Sequence, residues 1–256
     1  MSARTSTRVI RLIRDSFPQP PAMDTAISWA ILQAVSSGSE PETLRLHRPG
    51  PVVAFGPKDR LSPGYREAVL AASDQGFASI QRLAGGRAAV FHEDTLAFSW
   101  VIPDRAPREH IQSRFHEISC LMAEAFRGLG VDAHVGEVPG EYCPGAHSVN
   151  ARGRTKLMGV GQRIVSRAAH VGGVVVVGGA ERVRAVLIPV YRALGLEWDP
   201  DTIGSLRDEA PGLTWSVVER AVLERFADRV ELEEAHLAPT TLAAARQRLP
   251  YHAVEA

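Results

Sequence analysis

Residues 169–178, AHVGGVVVVG, restrict the fold more than any other stretch of the chain. The run is nearly continuous in valine and contains no Asp, Glu, Lys or Arg. A short β-branched run without polar alternation reads as a strand buried on both faces. Such a strand needs neighbours on either side and helices to cover it.

The surrounding patterns supply both. Short strands are expected at 8–13 (RVIRLI), 43–48 (TLRLHR), 52–56 (VVAFG), 78–83 (ASIQRL), 88–92 (AAVFH), 95–103 (TLAFSWVIP) and 131–136 (VDAHVG), with GQRIVS at 161–166 just ahead of the valine run. Helices are expected near 22–36, 63–74, 108–129, 181–194, 214–229 and 240–248. The clearest is 108–129, where Ile111, Phe115, Ile118, Leu121, Met122, Ala125, Phe126 and Leu129 form one apolar stripe. For 63–74, Ser62 reads as the N-cap and Pro63 as the first helical residue. Cys120 lies beside the 108–129 stripe and reads as a small buried hydrophobe. This alternation predicts an α+β fold with mixed, largely antiparallel sheets flanked by helices, not regular βαβ winding. With 256 residues and no linker or internal repeat, the chain reads as a single domain, 1–256, ending in helices over about 214–256.

A formal net charge of zero argues against a general nucleic-acid binder or a polybasic membrane protein. No apolar run is long enough to span a bilayer, and the N-terminus lacks a signal peptide's apolar core. Two distant cysteines without metal-type spacing suggest no metal site and a reducing cytoplasm.

Three stretches carry candidate chemistry. Residues 140–163, GEYCPGAHSVNARGRTKLMGVGQR, hold Cys143 and Lys156, the latter one of only two lysines among 29 basic residues. Lysine is a compact charge that arginine does not replace, so its rarity marks Lys156. The segment reads as a hairpin: AHSV extended, NARGR turning, TKLMGV returning, with further turns at Gly159 and Gly161. It can bring Cys143 and Lys156 to one site. Cys143, in a rigid Pro-Gly turn, reads equally as an exposed nucleophile or as a small buried residue. Gln162 offers both a donor and an acceptor. Residues 82–92, RLAGGRAAVFH, put Gly85 and Gly86 between strands, flanked by Arg82 and Arg87 and followed by His92. Such a loop either closes on an acyl chain or an anion, or is a plain turn with solvated arginines. His170, just before the valines, either lines a site or is a satisfied core histidine.

Taken together and in order, these stretches resemble the lipoate–protein ligase and octanoyltransferase family, which shares its fold with biotin protein ligases. The resemblance runs over roughly residues 20–200. It rests on Arg82, Gly85, Gly86, Val90 and His92 in the glycine loop, on Lys156, Gly159 and Gln162 in the lysine strand, and on the LRLHRPGPVVAFG and AMDTAI segments. It implies a catalytic domain of the biotin/lipoate protein ligase type. The EYCPG segment resembles the branch that moves an octanoyl or lipoyl group from the glycine-cleavage H protein to other lipoyl domains. GGRAAVFH looks more like the branch that draws octanoate from acyl carrier protein. Two departures stand out: the hairpin is one residue longer than in the amidotransferases, and Gln81 or Leu83 replaces the family's second arginine.

What the resemblance implies is a cysteine-dependent acyltransferase. Cys143 would carry the acyl group as a thioester. Lys156 would contact the acyl carbonyl and pair with the thiolate. Arg82, Gly85, Gly86, Arg87, His92, Gly159, Gln162 and His170 would bind the substrate. The partners would be lipoyl domains of 2-oxoacid dehydrogenase E2 subunits, the glycine-cleavage H protein and acyl carrier protein, and no cofactor would be required. The alternatives are a ligase that activates free lipoate with ATP and magnesium, and a non-catalytic domain that binds lipoate or a partner.

Overall fold

The computed structural model describes residues 8–254. In chain order the elements are β1 (Val9–Ile13), α1 (Met23–Ser37), β2 (Thr43–His47), β3 (Val52–Phe55), α2 (Tyr65–Asp74), β4 (Ala78–Gln81), β5 (Ala89–Phe91), β6 (Thr95–Pro103) and α3 (Ile111–Gly128). There follow β7 (Ala133–Val135), β8 (Val149–Ala151), β9 (Thr155–Ile164), β10 (Ala168–Val176), α4 (Ala180–Leu194), the short α5 (Leu206–Glu209), α6 (Trp215–Ala227), β11 (Glu231–Ala235) and α7 (Pro239–Arg248).

The valine run becomes β10, in the middle of an eight-stranded sheet of order β11-β1-β2-β6-β10-β9-β8-β7. Its neighbours β6 and β9 are both antiparallel to it. Only the β1–β2 and β1–β11 pairings are parallel in this sheet. A second sheet, β4-β3-β5, has one parallel and one antiparallel pair.

Helices α3 and α6 cover one face of the large sheet. Ile118, Met122 and Phe126 pack with Val218, Val222 and Phe226 against Trp100, Val171 and Val175. Trp100 and Phe226 meet edge to face, with ring centroids 5.3 Å apart. Helices α1 and α7 cover Ile13, Val101 and Ala168. A separate core joins the small sheet to α2 and α4 through Val53, Phe55, Val69, Val186 and Val190. The functional loops lie where the two sheets approach each other.

Several local expectations need correction. The helix expected from Pro63 starts at Tyr65 behind Gly64, because residues 59–61 form a 3-10 turn; the Ser62 hydroxyl bonds to the Leu194 carbonyl instead of capping α2. AHSV is not the first arm of the hairpin. That arm is β8, beginning at Val149, and Asn150 pairs with Lys156. Strand β9 does not turn at Gly159 and Gly161 but runs through both to Ile164. Cys120 is partly exposed beside His116 rather than buried. Strand β11, ELEEA, carries no apolar alternation and was not expected; it adds as a parallel edge to β1. Among the described residues no helix is long and apolar enough to cross a membrane.

Candidate active site

Cys143 sits in a turn at φ +44°, a left-handed conformation that strains a residue bearing a Cβ and persists only where neighbours fix it. Three contacts do so. Its N–H donates to the Tyr191 hydroxyl at 3.0 Å. Its carbonyl accepts from Lys156 Nζ at 2.8 Å. Its Sγ accepts from the Arg87 backbone N–H at 3.2 Å.

The Gly85–Gly86 loop wraps this sulfur. Gly86 has φ +113°, and a Cβ there would lie 3.0 Å from Sγ and 2.7 Å from Arg82 Nη1. Gly161 on β9 lets the loop lie flat on the strand, because a Cβ there would meet Ala84 Cβ at 3.0 Å and the Gly85 carbonyl at 3.2 Å. The glycines thus serve close backbone approach.

Among the described residues, Arg82 is the side-chain cation in contact with the thiol. Its Nη1 lies 3.7 Å from Sγ and donates to the Arg87 carbonyl at 2.8 Å. The Arg87 side chain turns away and pairs with buried Asp59 at 3.2 Å. Burial raises the Asp59 carboxyl, although the Gly56 N–H and Arg87 oppose the rise.

Lys156 is 1% exposed, and its three donors meet three acceptors: Glu141 Oε1 at 2.9 Å and the carbonyls of Tyr142 and Cys143 at 3.0 and 2.8 Å. It therefore holds the cysteine turn from below. Glu141 and two carbonyls occupy the Lys156 ammonium, and the side-chain cation in contact with Sγ is Arg82. Glu141 also accepts from Ser148 Oγ at 2.6 Å and from the Gly145 and Val138 N–H groups at 3.1 and 3.0 Å. One buried carboxylate thus folds the loop around the nucleophile candidate.

A cleft of about 400 Å³ opens onto Cys143 and is lined by Gly85, Ala89, Phe91, Phe115, Gly159 and Val160, among others. A smaller cavity of about 90 Å³ adjoins it; Arg82, Phe91 and Gly173 line both. Val52, Ala54 and Phe98 make its walls apolar, and His47 and His170 stand among them. Each of these histidines has an unpartnered, buried Nδ1.

Burial lowers His170 to about 4, helped by the Arg82 charge, and lowers His47 to about 3, helped by Arg45. Both rings therefore stay neutral in the folded chain. Below the ordinary histidine value of 6.5 the unfolded chain takes up protons that the folded one refuses, so stability falls as pH falls. The window runs from 6.5 down to about 4 for His170 and about 3 for His47, at up to about 1.4 kcal/mol per pH unit for each ring. His47→Asn is expected to flatten the unfolding free energy measured by urea titration between pH 6.5 and 4.5; an unchanged slope would show that His47 is not neutral in the folded state.

Other expected binding residues are placed differently. Gln162 lines the cleft, but its amide is engaged: it accepts from Arg114 Nε at 3.1 Å and donates to the Ile111 carbonyl at 2.8 Å, pinning the start of α3. His92 lines neither cavity. Its Nδ1 accepts from the Asp94 N–H at 3.2 Å and its ring packs against Gly179, where α4 begins. Among the described residues no group of three His, Cys, Asp or Glu side chains is arranged to hold a metal ion.

Residues 20–227 match the lipoyl protein ligase A/B catalytic domain. The chain belongs to that family. Among curated relatives, it is 28% identical over 166 residues to an octanoyl-[GcvH]:protein N-octanoyltransferase of Exiguobacterium sp., covering 61% of this chain and 59% of that protein. It is 30% identical over 162 residues to the protein of the same name from Anoxybacillus flavithermus, covering 62% and 57%. The match thus spans under two thirds of these relatives' length. Among solved structures, a bi-partite lipoate protein ligase from Thermoplasma acidophilum superposes with a TM-score of 0.73 at 18% identity, covering 95% of this chain and 92% of that one. A lipoate-protein ligase A bound with ATP gives 0.72 at 19% identity, covering 94% of each. At these identities the structures establish the shared fold.

In this member of the lipoyl protein ligase A/B family, the glycine loop meets the Cys143 sulfur while the lysine strand, through Lys156, holds the backbone of the cysteine turn. Glu141 and Tyr191 complete that arrangement and were not singled out from sequence. Glu141 stands inside the EYCPG motif, two residues before the cysteine, and that position was its one available signal. Tyr191 lies 48 residues from Cys143 on a helix with an ordinary amphipathic pattern and gave none.

Proposed function

We propose that the chain is an acyltransferase of lipoyl metabolism, moving an octanoyl or lipoyl group from an acylated protein to the lysine of a lipoyl domain through a thioester on Cys143. The observation that carries this reading is the Cys143 sulfur, held in a left-handed turn against the Arg87 amide and the Arg82 guanidinium at the floor of an apolar cleft. The names of the curated relatives support the octanoyl group and a protein donor. A cleft of about 400 Å³ falls within the range of sites that hold small molecules, roughly 300–1,000 Å³.

In the first half-reaction the thiolate attacks the donor's acyl carbonyl. The C–S bond forms, the bond to the donor's nitrogen or sulfur breaks, and that atom leaves with the proton that the Cys143 thiol gave up on ionising. In the second, the neutral amine of the acceptor lysine attacks the thioester. The C–N bond forms, the C–S bond breaks, and the amine's proton restores the thiol. The Arg87 N–H and Arg82 would balance the charge of the thiolate formed for attack. As the C–S bond forms, charge moves to the adjacent carbonyl oxygen, which the same donors would then stabilise. A donor so placed is worth about 2.7–4 kcal/mol in other enzymes. The Cys143 N–H takes no part, being bonded to Tyr191. The acyl chain would lie along Gly85 and Gly86 toward the inner cavity and His170. The acceptors would be the lipoyl domains of 2-oxoacid dehydrogenases and the H protein, with the H protein or acyl carrier protein as donor. We place the reaction in the cytoplasm, where both free thiols stay reduced.

An acylated protein already carries a transferable acyl group, whereas a free carboxylate must first be activated. The chain is therefore expected to modify a lipoyl domain from an octanoyl- or lipoyl-protein without ATP or magnesium, read as a mass increase on the acceptor. Modification that requires ATP and free lipoate, and fails with every acylated donor, would assign the chain to the ligases instead.

A further inference from the structure

We propose that Tyr191 is a positioning residue for acyl transfer, its hydroxyl tying the Cys143 turn to the glycine loop so that the sulfur stays against the Arg87 amide. The proposal rests on the transferase reading given above. The tie is made by one oxygen atom, which accepts from the Cys143 N–H at 3.0 Å and donates to the Ala88 carbonyl at 2.9 Å. Cys143 bears the sulfur, and Ala88 directly follows Arg87, whose N–H is the sulfur's donor at 3.2 Å. The hydroxyl thus spans the two backbone segments whose separation sets the sulfur–amide distance.

The anchor itself is rigid. Tyr191 is 2% exposed on α4, with buried Val190 and Leu194 in the same core. Its ring lies 5.4 Å from that of Trp198, which in turn meets Tyr142 edge to face at 6.1 Å. Burial raises the phenol well above its usual value, with the neighbouring Cys143 and Tyr142 acting in the same direction, so the hydroxyl keeps the proton it gives to Ala88. Without the hydroxyl, the Cys143 N–H at φ +44° loses its acceptor and nothing on α4 holds the turn to the loop. Small displacements of a reacting group are costly: an error of about 1 Å can reduce rate by roughly a hundredfold.

The test is Tyr191→Phe, with Leu187→Ala as a control on the same helix. Leu187 is fully buried and contacts neither loop through a hydrogen bond, so its truncation lowers stability without touching the tie. Two readouts are taken. One is the rate of iodoacetamide alkylation at Cys143 relative to Cys120 in the same molecule. The other is kcat and KM for the acceptor domain. Tyr191→Phe is expected to lower kcat by roughly ten- to a hundredfold at nearly constant KM, and to change the alkylation ratio by about threefold or more. Leu187→Ala is expected to lower Tm while leaving both readouts near wild type. The proposal is overturned if Tyr191→Phe leaves the alkylation ratio and kcat unchanged, or if Leu187→Ala reproduces both changes. The alkylation arm needs no acyl donor, so it decides the tie separately from the functional reading. A wild-type chain inactive with every donor would refute that reading, while the alkylation ratio would still show whether the hydroxyl places the sulfur.

Discussion

Cys143→Ala is expected to lower acyl transfer by about three orders of magnitude or more, because no other side chain can take over a covalent intermediate. Folding should survive, since Cys143 is only partly buried and the hydrogen bonds to Tyr191 and Lys156 are made by its backbone. Cys120→Ser supplies the contrast. That thiol is partly exposed on α3, and its neighbour is His116 at 3.6 Å, outside the cleft lining. Its loss should leave transfer within about twofold of wild type. Steady-state assays of lipoyl-domain modification, with circular dichroism as the check on folding, measure both. Near-normal transfer by Cys143→Ala would remove the covalent route.

The second large effect belongs to Lys156. Its ammonium and the Glu141 carboxylate are both buried, with side chains 2% and 0% exposed. Removing one member of such a pair strands the other charge, at a cost of about 3–5 kcal/mol. Lys156→Met is therefore expected to reduce Tm by roughly 10 °C and to abolish transfer, since the Tyr142 and Cys143 carbonyls also lose their donor. Lys156→Arg should fail as well. Lys156 Cε runs close along Gly159, where even a Cβ would approach to 3.3 Å, and a planar guanidinium cannot match three acceptors set for an ammonium. The double variant Lys156→Met, Glu141→Gln removes the stranded charge. It should regain much of the stability and none of the activity. If Lys156→Met melted like wild type, the ammonium would not be the counter-charge of Glu141. If the double variant regained activity together with stability, Lys156 would be needed for folding alone.

The elements that position this site were legible wherever a periodic pattern met its own hydrophobic face. The valine run became the central β10, and the stripe from Ile111 to Phe126 became α3, because burial dictates both spacings. Polar segments were not legible. ELEEA gives no pattern to read, yet it forms β11 because the edge of β1 offers unpaired backbone groups. The Gly159–Gly161 pair suggested a turn, but β9 runs through both, Gly159 leaving room for the Lys156 stem and Gly161 for Gly85 and Arg82. The convergence of Cys143 with Lys156 could be anticipated from a hairpin, though the arm begins at Val149, later than expected. Which cation faces the sulfur could not. Arg82 is 61 residues from Cys143, and its place depends on how the two sheets meet. His92 looked like part of the glycine loop because it ends the next strand, but that strand carries it past the cleft to Gly179.

The central claim is that Cys143 itself carries the acyl group. It is tested most directly by intact-protein and peptide mass spectrometry after incubating the chain with an octanoylated donor protein and no acceptor. The expected result is one octanoyl adduct, mapped to Cys143, released by neutral hydroxylamine and discharged when a lipoyl domain is added. A lipoyl domain that becomes octanoylated while Cys143 remains unmodified at every time point, rapid quench included, would contradict the account.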